Sequence, residues 1–436
     1  MKPLLFGTSK INDQGILEIG GVQATDLAKD FGTPLFVYDT ALIKKQAQGF
    51  KQTFEELGAK HRVIYASKAF TSKAIYQLLQ KEGLGFDVVS DGELHTALVS
   101  GVNPDMIEFH GNNKSYSELL TAVEEKVGMI VLDNFHELEL LKAITEEKKQ
   151  IQKVMLRVTP GVDAHTHDYI LTGQEDSKFG FDVKSGQAAN AFEKVQESQY
   201  LHLSGIHCHI GSQIFDTTGF SFATEKMLEI LIDWQKKYDY VAEILNLGGG
   251  FGVTYTSEDH PLPAKDYVKQ MVEKVKEECD RLDYPLPEVW IEPGRSIVAE
   301  AGTSLYTVGS RKEVKGVRNF VAVDGGMGDN IRPALYGAKY NAFLANRALD
   351  ELTETVTLVG KYCESGDKLI EDLKLPKAKP NDLVAMTTTG AYGYSMASNY
   401  NRNQKPAVVF VENGKTQLVV KRETIEDVAR FDLDLK

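Results

Sequence analysis

Lys68 stands in Tyr65-Ala-Ser-Lys-Ala-Phe70, directly after a short apolar run at 63–66. An amine at such a place is partly desolvated, which lowers its pKa and frees it to form an imine with a carbonyl compound. Taken alone it also reads as an ordinary loop lysine. His207-Cys-His209 closes another apolar run, and strand alternation puts both histidines on one side. Two such rings suit a metal, or one of them stacks on a flat cofactor. Leu247-Gly-Gly-Gly-Phe-Gly252 follows a third run. Gly248, Gly249 and Gly250 let backbone N–H groups approach an anion. Val253 breaks the dinucleotide fingerprint, and no Gly-Lys-Ser/Thr follows for a nucleotide loop, so a single phosphate fits better. Glu292-Pro-Gly294-Arg295 ends a fourth run. A carboxylate beside a phosphate site requires a cation between them, and a protonated pyridine nitrogen meets that need. Amine, flat ring, ring-nitrogen partner and phosphate cradle together match pyridoxal 5′-phosphate (PLP).

These segments sit at the ends of eight short apolar runs, at 63–66, 85–89, 106–109, 128–132, 154–158, 203–209, 244–247 and 289–291, with helix-period stretches between them. The runs alternate poorly, as strands covered on both faces do. Val268, Met271, Val272 and Val275 share one helix face, as do Met227, Leu228, Leu231 and Trp234. The pattern predicts an α/β fold: a (β/α)8 TIM-like barrel over 36–297, with its chemistry at the carboxyl ends of the strands. An open doubly wound sheet is the competing architecture. Beyond residue 297 alternating runs separated by Gly, Asn, Asp and Pro predict a mostly antiparallel β domain, formed by 298–436 with 1–35. It offers Arg332 and Tyr336, four apart, as a carboxylate fork. It also carries Cys363 beside Glu364 on a glycine turn, and the aromatic loop Gly390-Ala-Tyr392-Gly-Tyr394.

Composition narrows the class. The 436 residues carry a net charge of −13, which argues against a nucleic-acid or anionic-membrane surface. Three cysteines and no Cys-x-x-Cys pair point to a reducing compartment and to no structural zinc. The apolar start is too short for a signal peptide, and no run reaches membrane-helix length, so a cytoplasmic enzyme is expected.

Taken together, the segments around Lys68, 85–98, 110–115, 161–167, 177–180, 207–214, 248–252, 292–296, 332–336, 363–367 and 390–401 resemble the diaminopimelate decarboxylases, within the alanine-racemase-like (fold type III) PLP-dependent decarboxylases. That resemblance implies decarboxylation of meso-2,6-diaminopimelate to L-lysine and CO2, the last step of lysine biosynthesis by that route. Ornithine, arginine or carboxynorspermidine decarboxylases are the alternatives. It further implies that Lys68 holds PLP, with Asp87 near it. His209 stacks on the ring and Glu292 pairs with its nitrogen. Ser212, Gly248, Gly249, Gly250, Gly294, Arg295 and Tyr392 surround the phosphate. Arg295, Arg332, Tyr336, Glu364 and Tyr392 hold the amino-acid substrate, and Cys363 returns a proton. The family's homodimer has Cys363 and Glu364 reaching the other subunit's site, and no metal is implied. The chain departs from the family's common pattern at Lys361-Tyr362, Asp91-Gly92 and His95, none of them a named catalytic group.

Overall fold

The computed structural model describes residues 3–161 and 177–436, so most of the 161–167 segment lies outside the described residues. The chain divides into two compact units: 46–252 with 261–294, and 1–45 with 253–260 and 295–436.

The first unit is a closed parallel barrel. Its strands are β1 (His61–Ala66), β2 (Gly85–Val88), β3 (Ile107–Phe109), β4 (Met129–Leu132), β5 (Gln152–Thr159), β6 (Leu201–His207), β7 (Ile244–Asn246) and β8 (Glu288–Ile291). They pair in that order, and β8 closes on β1 through Ile291 opposite Val63. The eight runs of the sequence are these eight strands. Every residue of β2, β3, β4 and β7 is buried, which explains their weak alternation. Ile64, Met129, Val131, Met155, Ile244 and Trp290 form one buried cluster from five strands. After β1 to β4, side chains of Ser72, Ser90, Ser115 and Asn134 accept the helix-start N–H groups. Each cap stops the preceding loop and fixes where the helix begins. The two helix faces read from the sequence are buried as expected, on Thr218–Tyr238 and Ala264–Leu282.

The second unit is a mostly antiparallel sheet. Its strand order is Lys368–Leu375, Glu354–Val359, Arg318–Val323, Gly302–Val314, Leu35–Asp39, Ala407–Glu412 and Lys415–Val420. Two neighbour pairs are parallel, Arg318–Val323 with Glu354–Val359 and Leu35–Asp39 with Ala407–Glu412. Leu35–Asp39 pairs on both sides within this sheet, which places it outside the barrel although the sequence reading began the barrel at residue 36. Its core includes Leu17, Leu27, Val37, Leu305, Leu383 and Val409. No helix among the described residues is long and apolar enough to cross a membrane.

Candidate active site

Register builds a polar layer at the carboxyl end of the barrel. Asp87 on β2 lies opposite Glu108 on β3, and His207 on β6 lies between Arg157 on β5 and Asn246 on β7. Lys68 sits in the turn Ser67–Ala69 that follows β1, its side chain 45% exposed. Its Nζ is 3.8 Å from the buried Asp87 carboxylate. Burial raises the Asp87 pKa, while His110 and then Lys68 pull it back. Asp87 Oδ1 is buried without a hydrogen bond among the described residues.

Glu292 is the centre of this layer. Asn246 Nδ2 donates to Glu292 Oε1 at 2.8 Å, and the Nε2 atoms of His207 and His110 stand 3.0 and 3.3 Å from the same oxygen. All three contacts fall on Oε1, which leaves Oε2 for a further donor. Burial works against the Glu292 charge, but His207 and His110 outweigh it and hold the carboxyl well below its usual range. Burial also opposes charge on His110; the surrounding Asp87, Glu292 and Glu108 carboxylates win and raise it to about 10. Burial drives His207 neutral, down to about 4, so its one proton belongs on the Nε2 that faces Glu292. His110, His207 and Glu292 are close enough to share an ion. Glu292 with the two histidine Nε2 atoms around its Oε1 forms a compact polar core.

His110 is held by its own turn. The buried Lys114 donates to Gly111 O (2.7 Å) and Val131 O (2.9 Å) and pairs with Glu137 at 2.8 Å. Folding raises His110, so its stabilising contribution is full below about pH 6.5 and fades as pH climbs through about 10. His110→Gln is therefore expected to cost most stability near about pH 6 and least near about pH 10. Denaturant midpoints read this directly, and a gap that widens with pH would contradict it.

His207 is the last residue of β6. His209 lies beyond the end of β6, where its Nδ1 accepts the Gly249 N–H at 3.3 Å. Burial, then Lys68, keeps its ring neutral. Gly248 and Gly250 have φ of +68° and +107°. A Cβ on Gly249 would stand 2.1 Å from the Glu292 carbonyl oxygen. The glycines thus let three loop ends meet, which fixes Glu292 and His209 together. Gly249→Ala is expected to destabilise by about 1–3 kcal/mol through overpacking and to loosen cofactor retention. An unfolding midpoint and retention equal to wild type would show that the loop yields freely. Ser212 is exposed one residue beyond Gly211, and the Cβ direction of Gly294 runs into Ala66 at 2.9 Å.

In the β unit, Arg295, Arg332, Tyr336 and Tyr392 come together. Arg295 Cζ is 4.8 Å from the Tyr392 ring centroid; Arg332 Cζ is 5.6 Å from it and 5.8 Å from that of Tyr336. Cys363 and Glu364 occupy an exposed turn after Glu354–Val359. Asn401 Oδ1 accepts the Cys363 N–H at 2.8 Å, and Glu364 Oε1 accepts from Gly366 N at 3.3 Å. The sequence reading missed Glu108, His110, Arg157, Asn246 and Tyr255. The first four carry one shared signal, a polar residue in or directly after an apolar strand.

These groups fit PLP. A reachable amine stands beside a buried acid. A neutral ring lies next to it, and an ionised carboxylate keeps one oxygen uncommitted. The comparisons agree with that chemistry. Residues 40–299 match the family described as pyridoxal-dependent decarboxylase, pyridoxal binding domain. The chain is 59% identical over 417 residues to the diaminopimelate decarboxylase of Bacillus methanolicus, covering 96% of each. It is 58% identical to that of Bacillus subtilis (strain 168), covering 99% of this chain and 98% of the relative. The crystal structure of the M. jannaschii diaminopimelate decarboxylase in complex with L-lysine aligns with a TM-score of 0.92, at 36% identity and 98% coverage of both chains. With a barrel match and full-length likeness pointing the same way, the chain belongs to the diaminopimelate decarboxylases of the pyridoxal-dependent decarboxylase family.

Proposed function

We propose that the barrel unit holds PLP through Lys68 and that the chain is a carboxy-lyase converting meso-2,6-diaminopimelate to L-lysine and CO2. The observation that carries it is Glu292, buried and ionised, with its contacts gathered on one oxygen. PLP supplies the conjugated electron sink that accepts the electrons of the breaking carbon–carboxylate bond. Glu292 Oε2 holds the proton of the ring nitrogen, and the fixed charges behind it cost no reorganisation during the reaction. His209 presents its neutral ring to the cofactor face. Asp87, 3.8 Å from Lys68 Nζ, holds that side chain in place at the barrel mouth. Ser212, Gly248, Gly249, Gly250, Gly294, Arg295 and Tyr392 bind the phosphate.

Arg295, Arg332, Tyr336, Glu364 and Tyr392 bind the substrate. A zwitterionic distal centre needs both charges, which Arg332 and Glu364 supply. The Cys363 thiol returns the proton to the carbon that lost CO2. The enzyme works as a cytoplasmic homodimer, with Cys363 and Glu364 serving the other subunit's site.

Cys363→Ala is expected to lower kcat by about 10²–10⁴, the scale of losing one positioned acid, with KM changed little. Wild-type turnover in that variant would remove the assignment. Release of CO2 from a panel of meso-diaminopimelate, ornithine, arginine and carboxynorspermidine tests the substrate. Preference for any of the last three would replace this reading with an alternative decarboxylase.

A further inference from the structure

Residues 253–260 follow β7 in sequence yet belong to the β unit. Thr254 N donates to Glu300 Oε1 (3.0 Å), and Thr388 Oγ1 donates to Thr254 O (2.9 Å). Asp259 Oδ2 then accepts the N–H groups of Tyr255 (3.0 Å) and Thr256 (2.8 Å). This anchored segment delivers the buried Tyr255 to the two arginines. Arg295 Nη1 donates to the Tyr255 hydroxyl at 2.5 Å. The Tyr255 ring centroid lies 5.7 Å from Arg295 Cζ and 5.5 Å from Arg332 Cζ, and Tyr392 presents a second ring to the same pair. Tyr340 stands edge-on against Tyr255, at 5.2 Å and 85°.

Two guanidinium groups gathered on the same rings repel each other. Aromatic faces attract each cation, and a phenol oxygen fixes the plane of one fork. We propose that Tyr255 is a positioning residue that holds Arg295 and Arg332 in place for the carboxylates of the substrate, and so sets the preference for a dicarboxylic diamino acid. This rests on the reading that those arginines bind substrate. A tyrosine that only fills space would leave the arginines' forks equally ordered without its hydroxyl.

The test uses the holoenzyme with Tyr255→Phe, Tyr255→Leu and Arg332→Leu. Loss of one hydrogen bond to a charged group predicts that Tyr255→Phe raises KM for meso-diaminopimelate about tenfold, with kcat nearly unchanged. Tyr255→Leu raises KM further. Calorimetric binding of pimelate, a dicarboxylate without amines, to the holoenzyme weakens in parallel. Tyr255→Phe keeps the ring packing and decides the matter if Tyr255→Leu does not fold. If Arg332→Leu raises KM while Tyr255→Phe matches wild type in both KM and pimelate binding, the Tyr255 proposal is overturned and the arginine reading stands. A fall in kcat at constant KM overturns it as well. If Arg332→Leu changes neither quantity, the arginine reading itself fails, and the proposal with it.

Discussion

Replacing Lys68 by alanine removes the covalently held cofactor and lowers turnover by at least about 10³, the scale of losing a positioned acid–base group. The reason is local. Lys68 is the one lysine placed directly after β1, beside the buried Asp87, with an exposed side chain. On the proposed assignment its amine would tether the cofactor and be the group that substrate displaces. The fold should survive, because the Lys68 side chain is half exposed while its neighbours Ser67 and Ala69 are buried. The measurement is the loss of yellow absorbance and of turnover at an unchanged unfolding midpoint. A variant that keeps a borohydride-reducible adduct and turns over at the wild-type rate would sink the assignment.

Glu292→Gln is expected to lower kcat by about 10²–10³, comparable to removing one electrostatic contact aimed at developing charge. The amide preserves size but removes the charge that His110 and His207 are arranged to support. Its Nε2 amide also sets an N–H donor among the donors of Asn246 and the two histidines. The cofactor should remain attached through Lys68, so absorbance is retained while turnover falls. A variant with both absorbance and kcat intact would show that the ring nitrogen does not depend on this carboxylate.

The barrel was legible because each strand is a short apolar run and the first four are followed by a capped helix start. Ser72, Ser90, Ser115 and Asn134 mark helix starts that propensity alone would blur. The β unit was harder. Gly302–Val314 is buried in its first five residues and mostly exposed in its last six, so its second half reads as a polar loop. Lys368–Leu375, at the sheet edge, carries charges that mask its alternation. Leu35–Asp39 is fully buried and looks like any barrel strand, and only pairing reveals its sheet.

The same split holds at the site. Lys68, Gly249 and Glu292 stood out because their residue types at strand ends name a chemistry. Glu108, His110 and Asn246 matter through cross-strand register, and register is not written in any one segment. Tyr255 was missed for a related reason. It lies in a stretch whose sequence reads as a loop between barrel elements, while the hydrogen bonds of the neighbouring Thr254 tie that stretch to Glu300 and Thr388 far along the chain.

The covalent tether can be located outright. The purified holoenzyme is reduced with borohydride, digested, and each lysine-containing peptide is weighed by mass spectrometry. A pyridoxyl-phosphate adduct on Lys68 alone is the predicted result. An adduct on another lysine, or an enzyme that releases CO2 from diaminopimelate with every lysine unmodified, would contradict the account.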